Sequence, residues 1–186
     1  MKSVFQSIQN IPQIELDQLD GLITFRKLKK GDLLLMENQV CNEIVFIKSG
    51  ILRSYFFNHQ GDEITNCFAF ESEFMASFSS FITQEIAEEN IQALANTELQ
   101  VISRENLEKL YKSSIHWQEI GRKLTEMEHV RLQKRMISFQ KLSGTQRYEE
   151  LYQNHKKYLQ LIPLQYLASY LGVTPRHLSR IRKAIL

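Results

Sequence analysis

The side chains best suited to specific chemistry crowd toward the carboxyl end of this sequence. The segment 164–183 reads LQYLASYLGVTPRHLSRIRK and carries guanidinium groups at Arg176, Arg180 and Arg182, with an ammonium group at Lys183. His177, Thr174 and Ser179 add an imidazole and two hydroxyls. No acidic residue follows Glu150, whereas Lys156, Lys157 and the four cations of that segment do. Cations without interleaved carboxylates suit a polyanion. A guanidinium fork matches the O6/N7 edge of guanine, and an ammonium group attracts phosphate wherever it lies.

The net charge of +2 conceals how uneven the chain is. Residues 1–110 hold nine Lys/Arg against sixteen Asp/Glu, a net of −7, and residues 111–186 hold fourteen against five, a net of +9. Such asymmetry implies that one half meets a polyanion and the other does not; a solvated basic face balancing an acidic one is the plainer alternative. Other chemistries lack their parts. Cys41 and Cys67 stand outside any metal-binding spacing and read as reduced thiols. His59, His116, His129, His155 and His177 are never closer than thirteen residues, so a His-x-His metal site is excluded, and no Gly-x-Ser-x-Gly occurs. No metal, no cofactor and no enzyme activity is expected. The opening MKSVFQSIQNIPQIEL has Gln and Asn where an export signal needs apolar residues, and no apolar run is long enough to span a bilayer. A cytoplasmic protein is expected.

The cationic side chains need a scaffold, and the same segment supplies one. Leu167 and Leu171 fall on one helical face, and Ala168 is small where a second helix would cross. Gly172 sits where a turn requires positive φ, and Val173 anchors that turn. Pro163 suits the first turn of the first helix. Thr174-Pro175 reads as an N-cap followed by proline at the first helical position, and Leu178 and Ile181 face inward. This is a helix-turn-helix pattern. It leaves Arg176, His177 and Arg180 outward, Ser179 and Lys183 on the flanks, and Thr174 with the helix N-terminus near a phosphate. The bland alternative is two small packed helices that contact protein.

Upstream, Leu16, Leu19, Leu22 and Ile23 follow helical spacing after Pro12. Short apolar runs then alternate with turn residues, giving expected strands at 32–36, 44–48, 51–57, 64–70, 91–95 and 99–103. Strands so spaced, without long helices between them, imply a β-barrel or jelly roll. A short helix follows near Leu107–Tyr111, then a long one from about Ile115 that Ser143-Gly144 ends. Ile120, Leu124, Met127 and Val130 form a thin apolar stripe along it, which implies pairing with a second copy or packing on the barrel.

With these residues in place, the sequence resembles the Crp/Fnr transcription regulators. Lys30-Gly31-Asp32, Phe46-Ile47-Lys48-Ser49-Gly50 and Gly61-Asp62-Glu63 resemble their cyclic-nucleotide-binding-type jelly roll. The resemblance implies an α+β chain in three parts: a jelly-roll, sensor-like domain (1–112), a dimerisation helix (113–142), and a winged helix-turn-helix DNA-binding domain (143–186). It further implies double-stranded DNA and a second copy as partners, RNA polymerase if the protein activates, and an effector pocket including Glu73, Phe74 and Ser77. Two departures stand out. Pro175 and Arg176 occupy positions where the family's reading helix commonly has Arg and Glu, so the operator should differ. The family's phosphate-binding cassette ends in an Arg, yet no Arg lies between Arg53 and Arg104, and Glu85, Glu88 and Glu89 surround the spot. A cyclic phosphate would meet only like charge, so neither cAMP nor cGMP is expected to bind. The competing reading is a jelly-roll sensor for another small ligand, or a protein-interaction module, that does not bind DNA.

Overall fold

A computed structural model describes residues 1–185. Two short helices, α1 (Lys2–Ile8) and α2 (Gln13–Asp17), and a 3-10 turn (Gln18–Gly21) precede eight strands. These are β1 (Ile23–Leu28), β2 (Leu33–Leu35), β3 (Glu43–Ser49), β4 (Leu52–Phe57), β5 (Glu63–Ala69), β6 (Phe74–Met75), β7 (Asn90–Ala93) and β8 (Thr97–Ser103), with α3 (Phe78–Thr83) between β6 and β7. They form two four-stranded antiparallel sheets, ordered β1-β8-β3-β6 and β2-β7-β4-β5. The α+β class and the jelly roll stand as expected. Leu35, Val45, Ile47, Leu52, Met75, Ile91, Leu99 and Val101 fill the space between the sheets, each contributing about 1.5–3 kcal/mol by leaving water. Gly50 turns the chain between β3 and β4 at φ +104°, and a Cβ there would strike Thr97. Only glycine fits.

Four elements escape the sequence pattern. β1 is an edge strand whose middle four residues are exposed, so Thr24–Lys27 show no alternation, and Leu22-Ile23 mimics helical spacing. β6 is two residues long and α3 six. The fourth is α6.

Beyond the barrel run α4 (Arg104–Ser113), α5 (Ile115–Lys141), α6 (Gly144–Leu159), α7 (Leu164–Leu171) and α8 (Pro175–Ile185). Serine hydroxyls start three of them: Ser103 caps Asn106, Ser114 caps His116, and Ser143 forms a reciprocal capping box with Gln146. Ser143 therefore opens α6 as well as closing α5, a dual role that hides the new helix. No strand follows Ser103 among the described residues. The helical part of the expected winged helix-turn-helix is present there, and a β-wing is not.

The α5 stripe divides. Ile120 is buried beside Trp117, Phe5 and Leu19 of its own chain, and Leu124 packs at the edge of that cluster. Ile120 is thus corrected from dimer residue to core residue: α1 and α2 cover this end of α5. Met127 and Val130 are exposed, at 58% and 45% of their surface.

Candidate nucleic-acid interface

The C-terminal helices are built around a dry seam. Leu167, Ala168 and Leu171 of α7 and Leu178 and Ile181 of α8 are buried together with Tyr148 and Leu151 of α6. Pro163 is the N-cap of α7, one place before the helix proper. Gly172 takes the left-handed conformation (φ 64°, ψ 37°), and Val173 donates its N–H back to the Ala168 carbonyl at 3.0 Å. The carbonyls at the end of α7 are also met by cations. Arg147 Nε and Nη2 donate to Leu171 at 3.0 and 2.9 Å, and Arg135 Nη2 donates to Tyr170 at 3.1 Å. These guanidinium groups are therefore engaged inside the molecule.

Those of α8 are not. Thr174 Oγ1 accepts the His177 N–H at 3.2 Å, which fixes the helix start and leaves the hydroxyl proton free to donate. Thr174, Arg176, His177, Arg180 and Lys183 are exposed, and Ser179 and Arg182 are half-buried. Among the described residues none of Arg176, Arg180, Arg182 and Lys183 makes an ion pair. Arg176 and Arg180 lie one turn apart, so both forks leave the same face of a helix whose opposite face is core. The surface is a helix face bearing cations that have no ion-pair partner among the described residues. Lys157 behaves differently: it pairs with Glu71 on the barrel at 3.3 Å and is not part of this free set.

The residues expected to line an effector pocket do not meet around one. Glu73 accepts the Phe70 N–H at 3.0 Å, and Phe74 sits 5.4 Å from Phe5 and 5.1 Å from Phe46, ring centre to ring centre. Ser77 is buried at the start of α3. The expectation is corrected because α1 covers the outer face where Phe74 points. Two cavities lie elsewhere. One of about 170 Å³ is lined by Leu35, Val40, Cys41 and Ala76, and a cleft of about 220 Å³ by Lys134, Arg135, Arg147, His155 and Tyr170.

Where α5 passes the barrel, Arg131 is ion-paired with Glu128 at 2.6 Å and lies against the Cys67 thiol. Burial pushes both thiols above the usual range, Cys41 and Cys67 alike, so neither is a ready thiolate at neutral pH. Glu89 takes hydrogen bonds from Ser54 and Asn66. No group of three metal-ligating side chains occurs among the described residues, and no described helix is long and apolar enough to cross a membrane.

The helical unit sits on the barrel. α7 lies along β5; His155 stacks on Phe70 at 4.2 Å and Tyr158 on the same ring at 4.9 Å. His155 has non-helical dihedrals (φ −136°, ψ 28°), a kink in α6 that turns its imidazole onto Phe70. Desolvation lowers its pKa below the ordinary 6.5.

Residues 25–114 match the cyclic nucleotide-binding domain family. No curated protein matches the chain by sequence. Solved structures do resemble it. FixK2 from Bradyrhizobium japonicum superposes with a TM-score of 0.74 at 17% identity, over 88% of this chain and 84% of that one. A Eubacterium rectale protein assigned to the Crp/Fnr family of transcriptional regulators gives 0.71 at 20% identity, over 94% and 83%. CLP from Xanthomonas campestris, described as a c-di-GMP-responsive global regulator, gives 0.68 at 16%, over 94% and 91%. Residues 25–114 are thus similar to a cyclic nucleotide-binding domain, and the chain shares its fold with these solved structures.

Proposed function

We propose that this chain is a transcription regulator of the Crp/Fnr type that binds double-stranded DNA sequence-specifically as a homodimer. Each α8 reads one half of an inverted repeat through Thr174–Lys183, and the protein performs no catalysis. The observation that carries this reading is the outward face of α8: cations without an ion-pair partner among the described residues, on a helix capped by Thr174 and held from behind by Leu178 and Ile181. Presented to the major groove, Arg176 and Arg180 address base edges, while Lys183 and Arg182 address phosphates.

Dimerisation is supported by α5. Met127 and Val130, with Ile137 one heptad further on, leave an apolar row in water. A second copy of α5 would cover that row, placing two α8 helices in successive major grooves about 34 Å apart. Independence from cAMP and cGMP is supported by charge: Glu89 points to Ser54 and Asn66 rather than to a cation, and Arg53 lies outside the space between the sheets.

The test is selection from a randomised duplex pool with the full-length protein, followed by affinity measurements over a salt series. An enriched inverted repeat with salt-sensitive affinity is expected; no affinity for any duplex at low salt refutes the proposal. Equilibrium dialysis against millimolar cAMP should leave nucleotide evenly distributed across the membrane.

A further inference from the structure

Arg53, on β4, is wholly buried, although nothing in the barrel core calls for a cation. Its guanidinium lies 3.9 Å from the ring centre of Tyr55 on its own strand and 3.5 Å from that of Tyr166 on α7. Nη2 donates to Glu63 on β5, a half-exposed carboxylate, while Nε and Nη1 have no hydrogen-bond partner. Around it the junction is specific. Ser169 Oγ on α7 accepts the Thr65 N–H at 2.9 Å and donates to the Glu63 carbonyl at 3.3 Å, and Phe68 faces Tyr170 at 4.9 Å.

We infer that Arg53 is a positioning residue for the DNA-reading unit: it holds α7 on the β4–β5 face and thereby fixes where α8 stands. The inference rests on the reading of α8 proposed above. Removing a guanidinium from water is costly unless its charge is met. Here the barrel provides Glu63 and Tyr55, and only docked α7 provides Tyr166. The cation–π contact depends on ring placement, so it selects one seating of α7 where a purely apolar contact would accept several. From α7 the position passes to α8 through the locked turn at Gly172, with Val173 bonded back to Ala168 and Ala168 fully buried between the helices. Both ends of the linkage are stiff. In a dimer the distance between the two α8 helices, and so the permitted spacing of half-sites, then follows from how each reading unit is seated on its barrel.

The test compares full-length wild type with Arg53→Met, which fills the slot without charge, and Tyr166→Leu, which alters the contact from the other side at a partly exposed position. Far-UV circular dichroism confirms that each is folded. In the DNA-free protein, amide exchange over Leu164–Leu171 should quicken about tenfold in both variants, because local opening of α7 becomes easier. On duplexes carrying the selected half-sites at spacings from two base pairs shorter to two longer, wild type should favour one spacing by about tenfold or more. The variants should flatten that preference to within about threefold, with unchanged affinity for a single half-site. Arg53→Lys, which keeps the charge but not the planar stack, should fall between. Unchanged α7 exchange in both variants, or a wild-type spacing profile in both, overturns the inference. If wild type binds no duplex, the DNA reading fails, and the exchange measurement alone then decides whether Arg53 seats α7.

Discussion

Replacing Arg180 by alanine removes a guanidinium that is exposed and ion-paired to no described residue. Its neighbours Leu178 and Ile181, which seat the helix, are untouched, so the fold should change by no more than about 0.5 kcal/mol. Any larger effect on DNA is then an effect of contact. A bidentate fork on guanine discriminates by about 1–3 kcal/mol, and a dimer loses it twice, so a full inverted repeat should lose about 2–6 kcal/mol. The lower end is already about 30-fold in affinity. Lys183→Ala is the internal control, since an exposed ammonium group acts on phosphate regardless of sequence. It should weaken specific and scrambled duplexes alike and reduce the salt slope by about 0.9 for each phosphate left without its cation. Fluorescence anisotropy titrations of both variants, on the selected repeat and on a scrambled duplex across a salt series, separate the two behaviours. Equal losses for Arg180→Ala on the two duplexes would refute a base-reading role for this face of α8.

On α5, Met127→Glu should convert the protein to monomer in light-scattering chromatography and abolish high-affinity binding. Ile120→Ala, buried in its own chain, should instead lower unfolding stability by about 2–5 kcal/mol. Gly172→Ala forces a Cβ into positive φ, 2.8 Å from the Phe139 ring, and should cost about 1–2 kcal/mol in denaturant unfolding. His155 is held neutral by burial against Phe70, with Glu73 the nearby charge opposing that shift. Because its folded pKa lies below the ordinary 6.5, the unfolded chain takes up more protons on acidification, and stability is lost as pH falls through about 6.5. His155→Phe keeps the ring stack and should flatten that part of the stability–pH curve, measured by thermal unfolding between pH 7.5 and 5.

The helix-turn-helix seam was legible because each of its positions admits few residue types. A left-handed turn wants Gly172, a helix crossing wants Ala168, and a proline at a first helical position wants a cap such as Thr174. The barrel strands were legible wherever one face is buried, as in β3, β4 and β5. β1 was not, because an edge strand exposed along Thr24–Lys27 has no alternation to read. The same limit applied to α5, whose stripe of apolar residues looks uniform in sequence although one end faces its own chain.

What the order of amino acids determined unaided was local and periodic: where helices start, which faces are apolar, and that cations without carboxylates gather past Glu150. What tertiary structure decided was which of those groups are spent internally. Arg135 and Arg147 close the end of α7, Lys157 goes to Glu71, Phe74 goes to α1, and Arg53 goes under Tyr166. None of this follows from spacing, because each contact joins segments far apart in the chain. A side chain's charge belongs to its residue, but whether that charge is free to meet DNA depends on what the fold brings beside it.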